Sequence, residues 1–420
     1  MVIVYAFLVL VVSYLGFSVL FLFLLALAGR LGKADDVPTS YTSKKLRKIA
    51  VLIPAYKEDA VLVDSVLTNL KQDYPESCFD LVVIADSLQP YTIERLAGLR
   101  VIVIPVVFEV STVTKAINAA LTALPLNFYD VIVVSDADNC LSSDFLTRTN
   151  NAFDLGWKAV QGHRVAKNSN TSVAVLDAVS EEINNHLFRK GYRALNLSSS
   201  IIGSGMAIEF SLMKKVMSDL LTVGGYDKEI EMKIVLHGHT VGYLEQAMIY
   251  DEKVSKREIF EKQRTRWIAA QWQFLVNYFR IGFSELLKGN IKSFTKVIQA
   301  LILPRVLLLG ILPVVVIIGL LTEKSILWKL PLILLIMLCF VFLVSIPTYL
   351  WKKITFRELF MIPLLMINFI RAAFGIKKAF KSFIHTPHTA DNTIPGNSTG
   401  SALNQSIYSK NKDDRLKNIK

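Results

Sequence analysis

Hydropathy divides the chain into an apolar opening, an alternating middle and an apolar close. From Val2 to Gly29 no residue carries a charge, and this run exceeds the roughly 20 residues that span hydrocarbon. It is too long for a signal-peptide core and lacks a convincing cleavage site, so residues 1–29 read as a retained membrane anchor. Arg30, Lys33, Lys44, Lys45, Arg47 and Lys48 follow it. The positive-inside tendency makes residues 30–48 a basic cytosolic linker and puts the amino terminus outside. Residues 49–255 then alternate short apolar runs, IAVLIPAY, LVVIADS, VIVIPV and VIVVSDAD, with helix-like stretches. That alternation predicts βαβ units, hence an α/β domain with a mostly parallel sheet flanked by helices.

The pattern changes after Lys256. The run REIFEKQRTRWIAAQWQFLVNYFRIGF mixes cations with aromatic rings at helical spacing, which suits a helix at the headgroup level and predicts interfacial helices over residues 256–296. Residues 297–351 read as two crossings, 297–321 and 330–351, with Arg305 near the cytosolic end of the first, where it snorkels or faces protein. Residues 359–370 are apolar but short, and Arg371, Lys377, Lys378 and Lys381 follow. An interfacial or re-entrant segment is expected over 352–388, with a further crossing left open. Residues 389–420 are polar without apolar periodicity, and disorder is expected there.

A mean hydropathy of +0.43 over 420 residues excludes an ordinary soluble enzyme. Cys78, Cys140 and Cys339 have neither disulfide nor zinc-ligand spacing. The net charge of +12 is carried largely by cations beside apolar segments and in the tail, so it predicts contact with anionic lipid headgroups rather than nucleic acid. An integral protein of the cell (inner) membrane with its α/β domain in the cytosol is the expected arrangement.

Candidate chemistry starts with VIVVSDAD, a buried-strand pattern ending in Asp136 and Asp138. Carboxylates at the carboxyl end of a parallel strand lie where open α/β sheets bind ligands, and hard cations that bridge phosphates prefer such oxygens. The same acids also suit a turn and helix cap.

IPAYKED, VVIADS, TKAINAAL, VIVVSDAD, IIGSGMAIEF, GGYDKEIEMKIVLHG and QRTRW, in this order along the chain, resemble the motifs of membrane-embedded family 2 glycosyltransferases, the group of cellulose, chitin and hyaluronan synthases. The likeness covers roughly residues 49–267 and implies a GT-A-like fold. By that resemblance Tyr56 and Glu58 of IPAYKED contact the nucleoside, Asp86 binds the base, and Lys115 of TKAINAAL faces the phosphates. Asp138 coordinates Mg2+ or Mn2+, with Asp136 beside it on the nucleotide. Gly203 and Ser204 of IIGSGMAIEF line the acceptor path. In GGYDKEIEMKIVLHG, Asp227 takes the place of the last acid in the family's Thr-Glu-Asp motif, Gly225 and Tyr226 replace the first two residues, and Glu229 is a rival for the base. QRTRW matches the Gln-x-x-Arg-Trp signature, giving Arg266 to the diphosphate and Trp267 to the acceptor sugar. Each fragment alone also suits an ordinary turn, a solvated helix face or a membrane-surface helix.

The resemblance implies an inverting, metal-dependent hexosyltransferase using a nucleotide-diphosphate sugar, a UDP-sugar foremost. The acceptor is a membrane-associated or growing polysaccharide, or alternatively a glycolipid or lipid-linked glycan. Oligomers remain open. A catalytically inactive nucleotide-sugar-binding scaffold is kept alive by Tyr226, and a transporter ranks last because it leaves the large cytosolic domain unexplained.

Overall fold

The computed structural model describes residues 2–38, 41, 43–218, 220, 224–254, 257–321 and 326–374. The expected disordered tail, residues 322–325 between the two expected crossings and the end of the 352–388 segment lie outside the described residues. In chain order the helices are α1 (Val2–Leu31), α2 (Leu62–Asn69), α3 (Pro90–Ala97), α4 (Val113–Ala123), α5 (Phe145–Asp154), α6 (Ser172–Asn184), α7 (Tyr192–Ala194), α8 (Phe210–Met217), α9 (Tyr226–Leu236), α10 (Arg257–Leu287), α11 (Ile291–Leu301), α12 (Arg305–Leu320), α13 (Ile326–Ser345), α14 (Thr348–Trp351) and α15 (Phe356–Phe374). A π-helical turn, Asn185–Gly191, joins α6 to α7.

The strands are β1 (Ile49–Tyr56), β2 (Phe79–Asp86), β3 (Val101–Val106), β4 (Val131–Val134), β5 (Cys140–Leu141), β6 (Ala159–Ala166), β7 (Met206–Glu209) and β8 (Val241–Asp251). They form one eight-stranded sheet in the order β3-β2-β1-β4-β7-β6-β8-β5. The β3, β2, β1 and β4 strands run parallel; β7 then opposes both β4 and β6. The expected α/β class with a mostly parallel sheet is therefore present, with a reversal at its centre. Alternate residues of β1 supply the two core layers, since side chains in a strand point to opposite faces. Ile49, Val51 and Ile53 pack with Leu62 and Phe145, while Ala50 and Leu52 pack with Ile117, Met213 and Ile230.

The helices Phe7–Leu31 and Ile326–Ser345 are long and apolar enough to cross a membrane. The segment expected to be one crossing, 297–321, falls on α11 and α12, which together are apolar and long enough to cross but are bent by 60°, the geometry of a broken span or a re-entrant pair. Pro304 begins α12 with extended ψ, which a continuous helix could not accommodate. Polar contacts hold α11 to the sheet domain, where Lys296 Nζ pairs with Glu231 at 2.6 Å. The α1 helix is also tied in: a Cβ on Gly191 would lie 2.5 Å from the Leu25 carbonyl, so only glycine permits this approach. Asp35 accepts from Arg193 Nε at 2.7 Å and from the Tyr243 amide at 2.9 Å, fixing the chain between α1 and the sheet.

A buried ionic network clamps α6, the π turn and α10 to the sheet edge. Glu181 meets Arg164 and Arg189 at 3.1 Å each and Lys253 at 3.7 Å; Asp251 meets Lys253 at 2.7 Å; Asp177 pairs with Arg264 of α10. Burial pushes the Glu181 carboxyl up, but Arg164, Lys253 and Arg189 outweigh it and hold the group well below its ordinary value of 4.5. A carboxylate that binds its proton less readily when folded contributes stability in full above that ordinary value, and the contribution drains away as acidity rises toward the folded-state value. Removing one member of such a network leaves buried charge uncompensated, so Glu181→Gln should cost about 3–5 kcal/mol near neutral pH. Thermal unfolding of the purified protein should show this deficit, and the gap to the parent should narrow as the pH is lowered below about 4.

Candidate active site

The site lies at the carboxyl edge of β1 and β4. Strand β4 ends at Val134, sooner than the VIVVSDAD run suggests, because Gly205 turns the chain into β7 and its N–H donates to the Val134 carbonyl at 2.7 Å. Gly205 sits at φ +73°, and a Cβ there would come within 2.2 Å of Ile249; only glycine suits both conditions. The turn brings Ser204 against the acidic loop, where its hydroxyl accepts from the Asp136 N–H at 3.1 Å. The Asn139 amide touches the same hydroxyl at 2.7 Å. Ser65 Oγ donates to the Ala137 carbonyl at 2.5 Å, and the Asn69 side chain donates to the Asn139 carbonyl at 3.0 Å. The loop that carries both carboxylates is thus held through its backbone.

The opposite wall comes from residues 200–203 and the start of α9. Glu231 accepts from the Ile201 N–H at 2.7 Å and Gln161 from the Ile202 N–H at 3.1 Å. Gly225, at φ +72° with Ala270 only 2.7 Å from where a Cβ would stand, turns the chain into α9. This places Asp227 in the first helical turn, where the helix dipole favours a negative side chain. Asp227 Oδ2 accepts from the Gly203 N–H at 3.4 Å, and the Tyr226 hydroxyl donates to the Gly203 carbonyl at 3.1 Å. Burial and the nearby Asp136 and Asp227 push the Tyr226 phenol well above its ordinary 10.0, so it remains a neutral donor.

One cavity of about 820 Å³ joins these parts. Tyr56, Glu58, Asp136, Asp138, Gly203, Asp227, Arg266 and Trp267 all line it, so most of the expected site residues converge. Burial loosens the hold of the Arg266 guanidinium on its proton, while Asp136 and Asp227 act in the opposite sense. Arg264 lies 4.1 Å from the Trp267 ring centroid and backs the indole face.

Four expected residues lie elsewhere. Glu229 is fully buried behind α9 and takes the Tyr278 hydroxyl at 2.7 Å, so it is outside the cavity lining. Ser204 is buried beneath the acidic loop, bracing Asp136, so of the two residues expected on the acceptor side only Gly203 lines the cavity. Lys115 donates to the Val110 carbonyl at 2.8 Å and stands over Phe108, while its neighbour Thr114 lines the cavity. Asp86 pairs in register with Tyr56 at the strand edge but is buried, accepting from Ser87 Oγ at 2.9 Å.

The sequence reading missed Arg164 and Asp251 of the buried network and gave Arg305, which it placed against headgroups or protein, no part in the site; all three line the cavity. The acidic strand end at Asp251 is the one signal that could have revealed them. Among the described residues no group of three or more His, Cys, Asp or Glu is arranged as a complete cation cage. The oxygen donors of Asp136 and Asp138 fit Mg2+ or Mn2+, which usually keep part of their coordination for substrate phosphate.

A family model described as "Glycosyltransferase like family 2" matches residues 47–270. No curated protein sequence matches the chain. Among solved structures, the fold resembles that of "Mannosyltransferase PcManGT from Pyrobaculum calidifontis in complex with GDP-Man and Mn2+", with TM-score 0.53 and 16% identity over 81% of this chain and 96% of that one. TarS of S. aureus aligns with TM-score 0.38 and 15% identity over 60% of this chain and 54% of that one. The sheet is therefore GT-A-like. With its acidic strand end, its QRTRW helix and more than half its length within the family model, the chain belongs to glycosyltransferase-like family 2.

Proposed function

We propose that the protein is an inverting, metal-assisted transferase that moves one sugar from a nucleotide-diphosphate donor to a hydroxyl of a membrane-associated acceptor, at the cytosolic face of the cell (inner) membrane. One observation carries the reading: Asp136, Asp138, Asp227, Arg266 and Trp267, drawn from distant parts of the chain, line a single cavity whose far side is apolar helix. Tyr56 offers a ring to the nucleobase and Glu58 an acceptor to the nucleoside. Arg266 offers paired hydrogen bonds to diphosphate oxygens, and Trp267 a face to the acceptor.

Asp227 takes the proton of the acceptor hydroxyl as that oxygen bonds to the anomeric carbon and the bond from carbon to diphosphate breaks, leaving a nucleoside diphosphate and an inverted linkage. Bound Mg2+ or Mn2+, held by Asp138 with Asp136 beside it, would supply Lewis-acid stabilisation to the leaving diphosphate. UDP-sugars are the donors that the motifs favour. GDP-mannose belongs beside them in a donor panel because it occupies the similar solved structure. The likeness to polymer-forming synthases extends the reading to a growing polysaccharide, but the apolar far side of the cavity favours a lipid-borne acceptor.

Purified protein given labelled nucleotide sugars, membrane lipids and Mg2+ or Mn2+ should release nucleoside diphosphate and label an acceptor. Silence from every donor would favour a scaffold without catalysis. Asp227→Asn should lower turnover by about 10²–10⁴-fold with nucleotide binding by calorimetry nearly unchanged. An active Asp227→Asn beside a well-folded but dead Glu229→Gln would move the base to Glu229. Chelation by EDTA should stop turnover, and added Mg2+ or Mn2+ should restore it.

A further inference from the structure

The cavity changes character along its length. At the sheet edge it is lined by carboxylates, Asp136, Asp138 and Asp227; at the far side Leu22 of α1, Leu309 of α12 and Phe342 of α13 make an apolar wall. Arg164, Arg189, Arg264 and Arg305 line the same cavity. The ionic network opposes Arg164 and Arg189 with Glu181, Arg164 with Asp251 and Arg264 with Asp177.

Arg305 has only neutral hydrogen-bond acceptors among the described residues, Asn184 Oδ1 at 2.9 Å and the Ser180 carbonyl at 3.2 Å. Its guanidinium stands 6.0 Å from the centroid of Phe188, a residue packed at the edge of the apolar membrane-side cluster. Arg164 and Arg189 are 8% and 2% exposed, and each keeps a buried Nε–H with no acceptor. Buried donors are seldom left unmet, and guanidinium groups match phosphate oxygens in geometry and charge.

Resting on the transferase reading above, we propose that the acceptor is a lipid with a phosphate between its hydrocarbon and the hydroxyl that receives the sugar. The hydroxyl sits at Asp227, the phosphate at the arginines around Arg305, and the hydrocarbon against α1, α12 and α13. The order of groups along such a molecule matches the order of chemistry along the cavity. A neutral glycolipid would leave the Arg305 guanidinium facing only neutral acceptors, and a polymer would leave the apolar wall unused.

Full-length protein, purified and delipidated in detergent, is titrated with dioleoylphosphatidic acid, with dioleoylglycerol and with inorganic phosphate, and occupancy is read by native mass spectrometry. Phosphatidic acid should be retained well above the other two probes. Arg305→Gln should weaken its retention by about tenfold, the loss of one charge-assisted contact, and Arg305→Lys should recover part of it. Leu309→Trp, which fills the apolar wall, should weaken retention without altering UDP binding. Equal retention of dioleoylglycerol, equally tight inorganic phosphate, or an Arg305→Gln variant that binds as the parent does would each overturn the assignment. In the labelled-donor assay with a neutral sugar, product should extract into chloroform–methanol and bind an anion exchanger. A neutral lipid product or a water-soluble polymer would refute the phosphate-bearing acceptor while leaving the transferase reading intact. Absence of both nucleotide binding and transfer would sink the transferase reading itself.

Discussion

The pairing of β4 with β7 is the constraint on which the site depends. A purely parallel sheet would carry the chain away from the carboxyl edge through a helix after each strand. Here β7 runs back along β4, with Val134 opposite Met206. The turn that precedes β7 must therefore lie beside the acidic loop that follows β4. Glycine at position 205 allows the reversal, and the Ser204 hydroxyl then fixes the backbone of Asp136. Two carboxylates and the Gly203 wall meet because of this one change of strand direction.

Electrostatics supplies the second layer of order. Acidic groups at the sheet edge and arginines deeper in the cavity are separated by only a few side chains, an arrangement that would be costly if either set were left without partners. Glu181, Asp177 and Asp251 hold the arginines in place, and the same pairs fasten α6 and α10 to the sheet. The charges that line the cavity thus also fasten the fold. Tyr226 adds a neutral element, since its phenol braces Gly203 without adding charge between Asp136 and Asp227.

Much of this was legible along the chain because strand periodicity and apolar runs are local signals. The strands IAVLIPAY and VIVIPV fall where the alternation puts them, and Asp136, Asp138, Asp227, Arg266 and Trp267 meet in one cavity. What escaped was long-range or directional. Ser204 was expected on the acceptor path by resemblance, yet its hydroxyl takes the Asp136 N–H beneath the loop. Glu229 is two residues beyond Asp227, and two residues on a helix are about 200° apart, so it faces Tyr278 and the core. The break at Pro304 was read through because the apolar run from Ala300 to Leu303 resumes at Val306, just beyond Arg305. Arg164 and Asp251 carried no motif, and only the fold joins them to Glu181.

The seating of α1 changes what an anchor means in this chain. Gly191 and Gly29 allow the helix to press against the π turn, and Leu22 contributes to the cavity wall. The first helix, apolar enough to cross a membrane, is accordingly also a wall of the cavity. A soluble fragment beginning at the first strand would keep every acidic side chain and still lack one side of the room in which they act.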